Sequence, residues 1–374
     1  MRTRILVVLA AVMLIAGCTN TGTVASGTPA AASPSTAAAS GSGGASGSPA
    51  ASASGTTVSP SALKIGVVTD IGQLEDKSFN EYTWKGVQDG AKAIGAPDPQ
   101  VIVTKDTADY AQNIDQFVQQ GYNVIVTIGF LIGTDTRRAA IVHPEIQFFG
   151  VDQFVASPAP PNYQGLLFTE AQPGYLAGIV AATVTKTGVI GAVGGRSDVP
   201  PVLAYINGYR NGAASVKPGI TVLVNYAEDF NAPDKGEAIA NAMIGKKADV
   251  IFQVAGLTGA GALRAACAKK IWGIGVDVDQ HGSLPDAAQC IITSAEKHLQ
   301  KAVSAALQRF ATSGPQGGKD GNFTNDAKND GIGVSPFTNL SPVPDGLQAK
   351  VDDALAKLKD GSLDPCKPST CDKK

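Results

Sequence analysis

Aspartates and phenylalanines stand where successive apolar segments of the sequence end. These segments read as buried strands, and in an open parallel sheet a ligand lies beyond the carboxyl ends of the strands. A carboxylate accepts two hydrogen bonds at once, which suits neighbouring hydroxyls, and an aromatic ring stacks on a flat ring. The strand ends carry Asp70, the turn 76–80, Phe130, Asp152, the turn 194–198, residues 228–230, the turn 256–259 and Asp277. The pattern predicts a binding site for a small molecule.

Catalytic and metal-binding patterns are missing from the sequence. Its three histidines, His143, His281 and His298, have no metal-ligand spacing. It contains neither a Gly-x-Ser-x-Gly elbow nor a His-Glu-x-x-His pair. The glycine run at 256–261 reverses the order of the dinucleotide fingerprint, so we interpret it as a tight turn. We therefore expect a protein without catalytic residues, metal or cofactor.

Charge excludes a further class of partner. The chain has 30 Lys and Arg against 32 Asp and Glu, a formal net charge of −2. Nucleic-acid-binding proteins carry a basic patch or stripe, so we expect no nucleic acid as partner. Nothing in the sequence indicates an oligomer, and we expect a monomer.

The first seventeen residues have the pattern of a secretory signal, with Arg2 and Arg4 before the apolar run 5–16. This run is shorter than the roughly 20 residues that span a bilayer of about 30 Å. Residues 14–18, Leu-Ile-Ala-Gly-Cys, resemble a bacterial lipobox. The resemblance implies cleavage before Cys18 and a lipid anchor on its sulfur at the extracytoplasmic face of the cell membrane. An ordinary signal peptide with a chance cysteine is the alternative.

Residues 18–60 form the next predicted unit, a lipidated cysteine and a disordered tether. From residue 19 to residue 60 the chain is almost entirely Ala, Ser, Gly, Thr and Pro, without a charged or aromatic residue. Such a composition cannot bury enough apolar surface to offset the entropy of ordering. Roughly 40 flexible residues reach on the order of 35 Å. The same composition would also suit a glycosylated or wall-crossing stalk.

Four cysteines remain besides Cys18, and in an oxidising compartment they are expected to form stabilising disulfides. Cys366 and Cys371 are close enough in sequence to close a small loop, and Cys267 and Cys290 could then pair. Four cysteines allow three pairings, so the sequence leaves the connectivity open.

Strands and helices alternate along the rest of the chain. Residues 64–69 predict a strand, and Ser78-x-x-Glu81 reads as a capping box that opens the following helix. The alternation predicts an α/β protein with two doubly wound parallel sheets. We assign residues 61–155 plus 279–315 to an N-terminal lobe and residues 156–278 plus 330–365 to a C-terminal lobe, with crossovers between them and a tail at 366–374. Late short strands are expected at 290–293 and 332–335.

Sequence blocks at these strand ends resemble the basic membrane protein family, the purine nucleoside receptor lipoproteins. The similarity extends from about residue 64 to about residue 337, nearly all of the predicted globular part. The matching blocks, in order, are 68–70 with 76–80, Gly129-Phe130, 150–153, 168–170 with 175–178, 229–236, 250–256, 275–280 and 293–297. Each block is short, and their common order makes chance an unsuitable explanation.

The resemblance implies a type I periplasmic-binding-protein fold with three interlobe crossovers and a nucleoside in one cleft. It implies that Phe79 and Phe230 stack on the base, and that Asn80 and Asp152 bond its edge. The ribose would be surrounded by Asp70, the Gly256 backbone, Asp277 and Lys297. Ser78 and Phe130 complete the predicted ligand-binding set. The implied partners are the permease and ATPase of an ABC importer.

Two departures from the family pattern concern the ligand. The turn after Gly256 reads Leu-Thr-Gly-Ala-Gly where family members tend toward Gly-Thr-Gly-Asn-Gly, and Arg196 stands in the turn 194–198. An arginine near the cleft mouth would suit an anionic or differently substituted ligand. A receptor or sensor for a sugar or another small solute is therefore the alternative function, and a nucleoside hydrolase is a weaker one.

Overall fold

The structure, a computed structural model, describes residues 59–368 and 370–372. The predicted signal, Cys18 and nearly all of the predicted tether lie outside the described residues. Among the helices of the described part, none is long and apolar enough to cross a membrane.

The described residues form strands and helices in near-regular alternation. The strands are β1 (Ile65–Val68), β2 (Gln100–Ile102), β3 (Val124–Ile128), β4 (Gln147–Val151), β5 (Tyr163–Phe168), β6 (Val189–Gly194), β7 (Thr221–Tyr226), β8 (Val250–Val254), β9 (Trp272–Asp277), β10 (Ile291–Lys297), β11 (Asn322–Asn325) and β12 (Ile332–Val334). The helices are α1 (Phe79–Ile94), α2 (Tyr110–Gln119), α3 (Gly133–Val142), α4 (Ala171–Val184), α5 (Pro200–Val216), α6 (Pro233–Gly245), α7 (Gly256–Ala268), α8 (Gln280–Ser283), α9 (Leu299–Ser313) and α10 (Leu347–Asp360).

Two six-stranded sheets organise these elements. The first has the order β11-β5-β4-β3-β1-β2, and the second has the order β12-β10-β9-β8-β6-β7. All neighbouring strands are parallel except β10 and β12. Every residue of β1, β3, β4 and β8 is buried, as expected for strands covered by helices on both faces. The predicted pair of doubly wound parallel sheets is confirmed.

The strand pairing corrects the lobe boundaries that we predict from the sequence. β5, placed in the C-terminal lobe, pairs with β4 of the first sheet, with Tyr163 opposite Phe148. β10, placed in the N-terminal lobe, pairs with β9 of the second sheet, with Ser294 opposite Gly275. The chain changes lobe after these strands and not before them, because the crossover helices α4 and α9 start only at their ends.

A third crossover follows β11, a strand that we do not predict. Its sequence, Asn-Phe-Thr-Asn, offers one apolar residue, too little for an alternating pattern. It pairs in parallel with β5, and the chain then passes to β12 at the edge of the second sheet. The three crossovers expected from the family resemblance are thus present.

Glycines bring helix pairs into backbone contact. Gly174 and Gly178 of α4 and Gly208 and Gly212 of α5 are each spaced four residues apart, which places each pair on one helix face. A Cβ on Gly178 would lie 2.2 Å from the carbonyl oxygen of Tyr209, and one on Gly212 would lie 1.9 Å from that of Tyr175. Small residues at this spacing let two helix axes approach closely. The close pair positions Tyr205, on α5, beside the ends of the second sheet.

Both disulfides join cysteines whose partners the sequence leaves open. Cys267 of α7 is bonded to Cys290, just before β10. Cys366 is bonded to Cys371 in the C-terminal tail. That tail lies on α5, where Asn211 donates a hydrogen bond to the Pro365 carbonyl at 2.9 Å.

We expect Gly178→Ala to destabilise the protein by about 1–3 kcal/mol, because the added methyl group overpacks a backbone contact. Urea unfolding followed by circular dichroism measures the effect. The matched control is Gly245→Ala at the end of α6, where a Cβ meets nothing within 4 Å. That change should stabilise by up to about 1 kcal/mol through the unfolded chain. Equal effects at both positions would contradict the importance of the α4–α5 contact.

Candidate functional site

One cavity lies between the two sheets, at the carboxyl ends of their strands. It encloses about 700 Å³ of non-atom space, counting its opening to solvent, within the range of small-molecule sites. All of the predicted ligand-binding residues except Ser78 line it. They are Asp70, Phe79, Asn80, Phe130, Asp152, Phe230, Gly256, Asp277 and Lys297. The residues predicted from the strand ends and from the family resemblance therefore lie around a single cavity.

The two aromatic rings of the predicted stack approach this cavity from different lobes. Phe79 is the first residue of α1, and Phe230 lies in the segment between β7 and α6. Both are partly buried against the apolar core. A Cβ on Gly195 would lie 2.1 Å from the Phe230 ring, so a glycine is required there for the ring to occupy its place.

The N-terminus of α1 is organised by Asp76. Its carboxylate accepts hydrogen bonds from the backbone N–H groups of Asn80 at 2.9 Å, Ser78 at 3.0 Å and Glu81 at 3.2 Å. These are donors that a helix leaves free at its first turn. Asp76 thereby fixes the two residues, Phe79 and Asn80, that α1 contributes to the cavity.

The predicted capping box is wrong. Ser78 is the N-cap residue, but its side chain makes no capping bond, because Asp76 already accepts the N–H groups involved. The Ser78 hydroxyl instead donates to Oδ2 of Asp277 at 2.7 Å, across to the other lobe. Ser78 therefore lies behind Asp277 and not at the cavity wall.

Asp152 and Asp277 occupy equivalent positions in the two lobes. Asp152 directly follows β4, and Asp277 is the last residue of β9. Their φ angles are 61° and 65°, a left-handed conformation that is uncommon for residues other than glycine. Strained residues of this kind cluster at ligand sites, where the surrounding structure holds them in place. Each turn directs the chain away from the sheet at the point where its carboxylate meets the cavity.

Lys297 is the centre of a buried charged cluster. Its Nζ lies 2.7 Å from Oδ2 of Asp152 and 3.0 Å from Oε1 of Glu170, and the lysine side chain is 2% exposed. Burial alone would lower the pKa of Lys297, but the carboxylates of Asp152, Glu170 and Asp277 more than reverse this and raise it. Lys297 is therefore a permanent cation on the cavity floor.

For the carboxyls around Lys297, burial outweighs the attraction of the neighbouring ammonium. Burial raises the pKa of Glu170 to about 7, although the Lys297 charge works against the shift. Burial also raises the pKa of Asp152 and of Asp277. Three acids around one ammonium carry more negative charge than a buried site readily holds, so the cluster favours retaining a proton.

Glu170 and two tyrosines are functional residues that the sequence reasoning missed. Tyr205 lines the cavity and donates to Oδ1 of Asp277 at 3.3 Å. Tyr110 donates a short hydrogen bond to Oδ1 of Asp70, whose pKa burial raises to about 6. A signal for Glu170 was available, since it is a carboxylate two residues after the end of β5. Tyr110 begins α2 and Tyr205 lies inside α5, and a tyrosine in a helix gives no such signal in the sequence.

Two buried side-chain oxygens of cavity-lining residues have no hydrogen-bond partner among the residues that the structure describes. They are Oδ1 of Asn80 and Oδ1 of Asp152. Buried polar atoms are nearly always bonded, so a ligand that offers donors to these two residues would remove an unfavourable feature of the cavity. The site is suited to a molecule that offers hydrogen-bond donors between two aromatic rings.

Arg196 lies at the cleft mouth and is already engaged. Its guanidinium donates to both carboxylate oxygens of Asp198, at 3.0 and 2.7 Å. It shares the mouth with Lys105, Asp106 and Asp229. Because charges of both signs meet there, the mouth offers no concentrated positive field for an anionic ligand.

We expect the melting temperature of the unliganded protein to fall as the pH rises from 5 to 8. Burial raises the pKa of Asp76 and of Glu170 to about 7, and the nearby Glu296 carboxylate raises the pKa of His298. The folded state then binds more protons than the unfolded state over this range, so the free energy of unfolding declines with pH. Glu170→Gln should reduce the slope. A melting temperature that rises over the range would contradict the expectation.

Comparison with known proteins identifies the family of this chain and supports its fold. The sequence profile described as "ABC transporter substrate-binding protein PnrA-like", of the Bmp family, matches residues 63–360. The "ABC transporter nucleoside-binding protein BmpA" of Lactococcus lactis subsp. cremoris (strain MG1363) is 32% identical over 326 residues, covering 81% of this chain and 87% of that protein.

Solved structures share the architecture. A solute-binding protein of an ABC transporter system from Aeropyrum pernix K1 has a TM-score of 0.71 at 23% identity, covering 81% of this chain and 92% of that one. Another, from Conexibacter woesei DSM 14684, has a TM-score of 0.64 at 27% identity, covering 81% and 98%. Both are solute-binding proteins, and the type I periplasmic-binding-protein fold expected from the sequence is confirmed. The chain belongs to the Bmp family of ABC transporter substrate-binding proteins.

Proposed function

We propose that this substrate-binding protein binds a nucleoside, with purine bases expected, in the interlobe cavity and delivers it to the permease of an ABC importer. The observation that carries the proposal is the pairing of Phe79 and Phe230 from opposite lobes with the unpartnered oxygens of Asn80 and Asp152 at the same cavity. The nucleoside-binding relative from Lactococcus lactis supports the same ligand class.

The base is the part of a nucleoside that this arrangement suits best. Stacking on an aromatic side chain contributes about 1–3 kcal/mol per base, and a ring on each face would exclude water from both. The edge of a base such as hypoxanthine or guanine carries N–H donors. Oδ1 of Asn80 and Oδ1 of Asp152 are acceptors without partners, so a base of this kind would satisfy them.

The ribose would lie against the carboxylates and the Lys297 ammonium. Each oxygen of Asp277 accepts one hydrogen bond from the protein, from Ser78 and from Tyr205. A carboxylate has about four acceptor sites, so capacity remains for a diol. A site built to bond hydroxyls rejects analogues that lack them, because its buried acceptors are then left unpaired.

Ligand would close the two lobes on each other, since each lobe holds only half of the contacts. Phe79, Asn80 and Asp152 belong to the first lobe, and Phe230 and Asp277 belong to the second. The closed form is the one that a permease would receive. The protein would act as a monomer and without catalysis, anchored through a lipid on Cys18 at the extracytoplasmic face.

Thermal-shift scans test the ligand class. Inosine, guanosine or adenosine at 100 times Kd should stabilise the protein by about 2.7 kcal/mol, whereas ribose alone should have little effect. Phe79→Ala should clearly reduce the stabilisation at the same ligand concentration, because one face of the base loses a ring that contributes about 1–3 kcal/mol. The control, Phe154→Ala, removes an exposed ring of the same lobe and should retain the shift. Stabilisation by a sugar but by no nucleoside would overturn the nucleoside proposal, and release of free base would indicate a hydrolase.

Labelling of the full chain with radioactive fatty acid tests the anchor. Wild-type protein should incorporate the label and sediment with membranes, whereas Cys18→Ala should incorporate none because no thiol remains for the lipid. Cys371→Ala serves as the control for cysteine loss and should keep the label. Incorporation of the label into Cys18→Ala would contradict lipid anchoring through this residue.

A further inference from the structure

Glu170 and Lys297 form an ion pair between two of the three crossovers. Glu170 lies between β5 and α4, where the chain leaves the first lobe. Lys297 ends β10, where the chain leaves the second. Their side chains are 8% and 2% exposed. The pair therefore sits inside the hinge while its lysine also lines the ligand cavity.

The crossovers do not need this ion pair to stay together. The Thr169 N–H donates to the Asn325 carbonyl at 3.1 Å, and the His298 N–H donates to the Gly331 carbonyl at 2.9 Å. The Ala327 N–H donates to the Gln172 side chain at 2.9 Å. These bonds link all three segments. A buried charge is costly and adds little stability by itself, so the Glu170 carboxylate calls for another role.

The position of the Lys297 ammonium supplies that role. Its Nζ contacts Oδ2 of Asp152, and Oδ1 of the same carboxylate has no hydrogen-bond partner. An ammonium facing a single carboxylate is free to share its protons with both oxygens. Here Glu170, at 3.0 Å, competes with Asp152 for the ammonium. The pull of the second carboxylate leaves Oδ1 of Asp152 available.

We propose that Glu170 is a positioning residue for specificity, which holds the Lys297 ammonium away from Oδ1 of Asp152 and so preserves an acceptor for a donor on the base edge of the ligand. The inference rests on the proposed function, because it assumes that a nucleoside base meets Asp152. Glu170 itself does not line the cavity. It acts on the ligand through Lys297 and Asp152.

The role predicts a selective change in affinity that a merely structural role would not produce. Inosine carries an N–H on its base edge, whereas purine riboside has the same sugar and no base N–H. Wild-type protein should bind inosine more tightly. In Glu170→Gln the ammonium relaxes onto Asp152 and occupies Oδ1. The variant should lose roughly tenfold to a hundredfold of its inosine affinity, the order of a hydrogen bond to a charged group, and less than about threefold for purine riboside.

Titration calorimetry of the whole extracytoplasmic chain with both probes at pH 8, above the pKa of about 7 of Glu170, is the test, with folding of each variant checked by its melting curve. Glu296→Gln is the matched control, since Glu296 precedes Lys297 in β10 and lies near His298, at 3.7 Å. It should bind both probes as wild type does. Should Glu170→Gln not fold, Glu170→Asp keeps the charge but withdraws it by one methylene, and the same selective loss is expected in smaller measure.

The outcomes separate the two proposals. If wild-type protein binds neither probe nor any other nucleoside, the proposed function falls, and the role of Glu170 falls with it. If wild-type protein binds inosine but Glu170→Gln loses both probes equally, or loses neither, only the positioning role is overturned. Wild-type protein that does not distinguish the two probes would also overturn it, because Oδ1 of Asp152 would then receive no base donor.

Discussion

The buried ammonium of Lys297 is the interaction on which the arrangement of the cleft depends. It lies at the end of β10 in the second sheet, bonds Asp152 at the end of β4 in the first, and bonds Glu170 at a crossover. It is also 5.2 Å from the centre of the Phe79 ring. Removing one partner of a buried ion pair leaves an uncompensated charge. The positions of both lobes, of the crossover at Glu170 and of the Phe79 ring are therefore coupled to one side chain.

The rest of the fold serves to bring strand ends to this point. Parallel strands place all their carboxyl ends at one edge, and the two sheets face each other at those edges. Helices must then cover both faces of each sheet at close range. At the α4–α5 contact, glycines of each helix touch the backbone of the other helix. The same occurs where Gly86 and Gly90 of α1 approach the backbone of Gln300 and Ser304 of α9. Close helix packing fixes where α1 begins, and so where Phe79 and Asn80 lie.

The sequence alone predicted the architecture and most of the cavity wall, for a physical reason. Buried parallel strands are continuous apolar runs, so their ends are visible as polar residues such as Asp70, Asp152 and Asp277. The predictions that were wrong depended on contacts with distant parts of the chain. The lobe membership of β5 and β10 depends on which strands they pair with, and Ser78 bonds Asp277 from 199 residues away. The local pattern instead predicted a capping box, but Asp76 accepts the N–H groups that Ser78 would have capped.

Glu170 illustrates a limit of a different kind. Its place after a strand segment marks it as a possible cavity residue, yet the structure sets it behind Lys297, where it cannot touch a ligand directly. Only the geometry of the cluster distinguishes a carboxylate that binds from one that positions. Asp152 has one oxygen bonded and one free, and the difference follows from where the ammonium is held. Specificity in this cleft thus depends on a charge balance that spans both lobes. Such a balance makes the hinge and the ligand site one unit, because moving either crossover would change which oxygen of Asp152 is available.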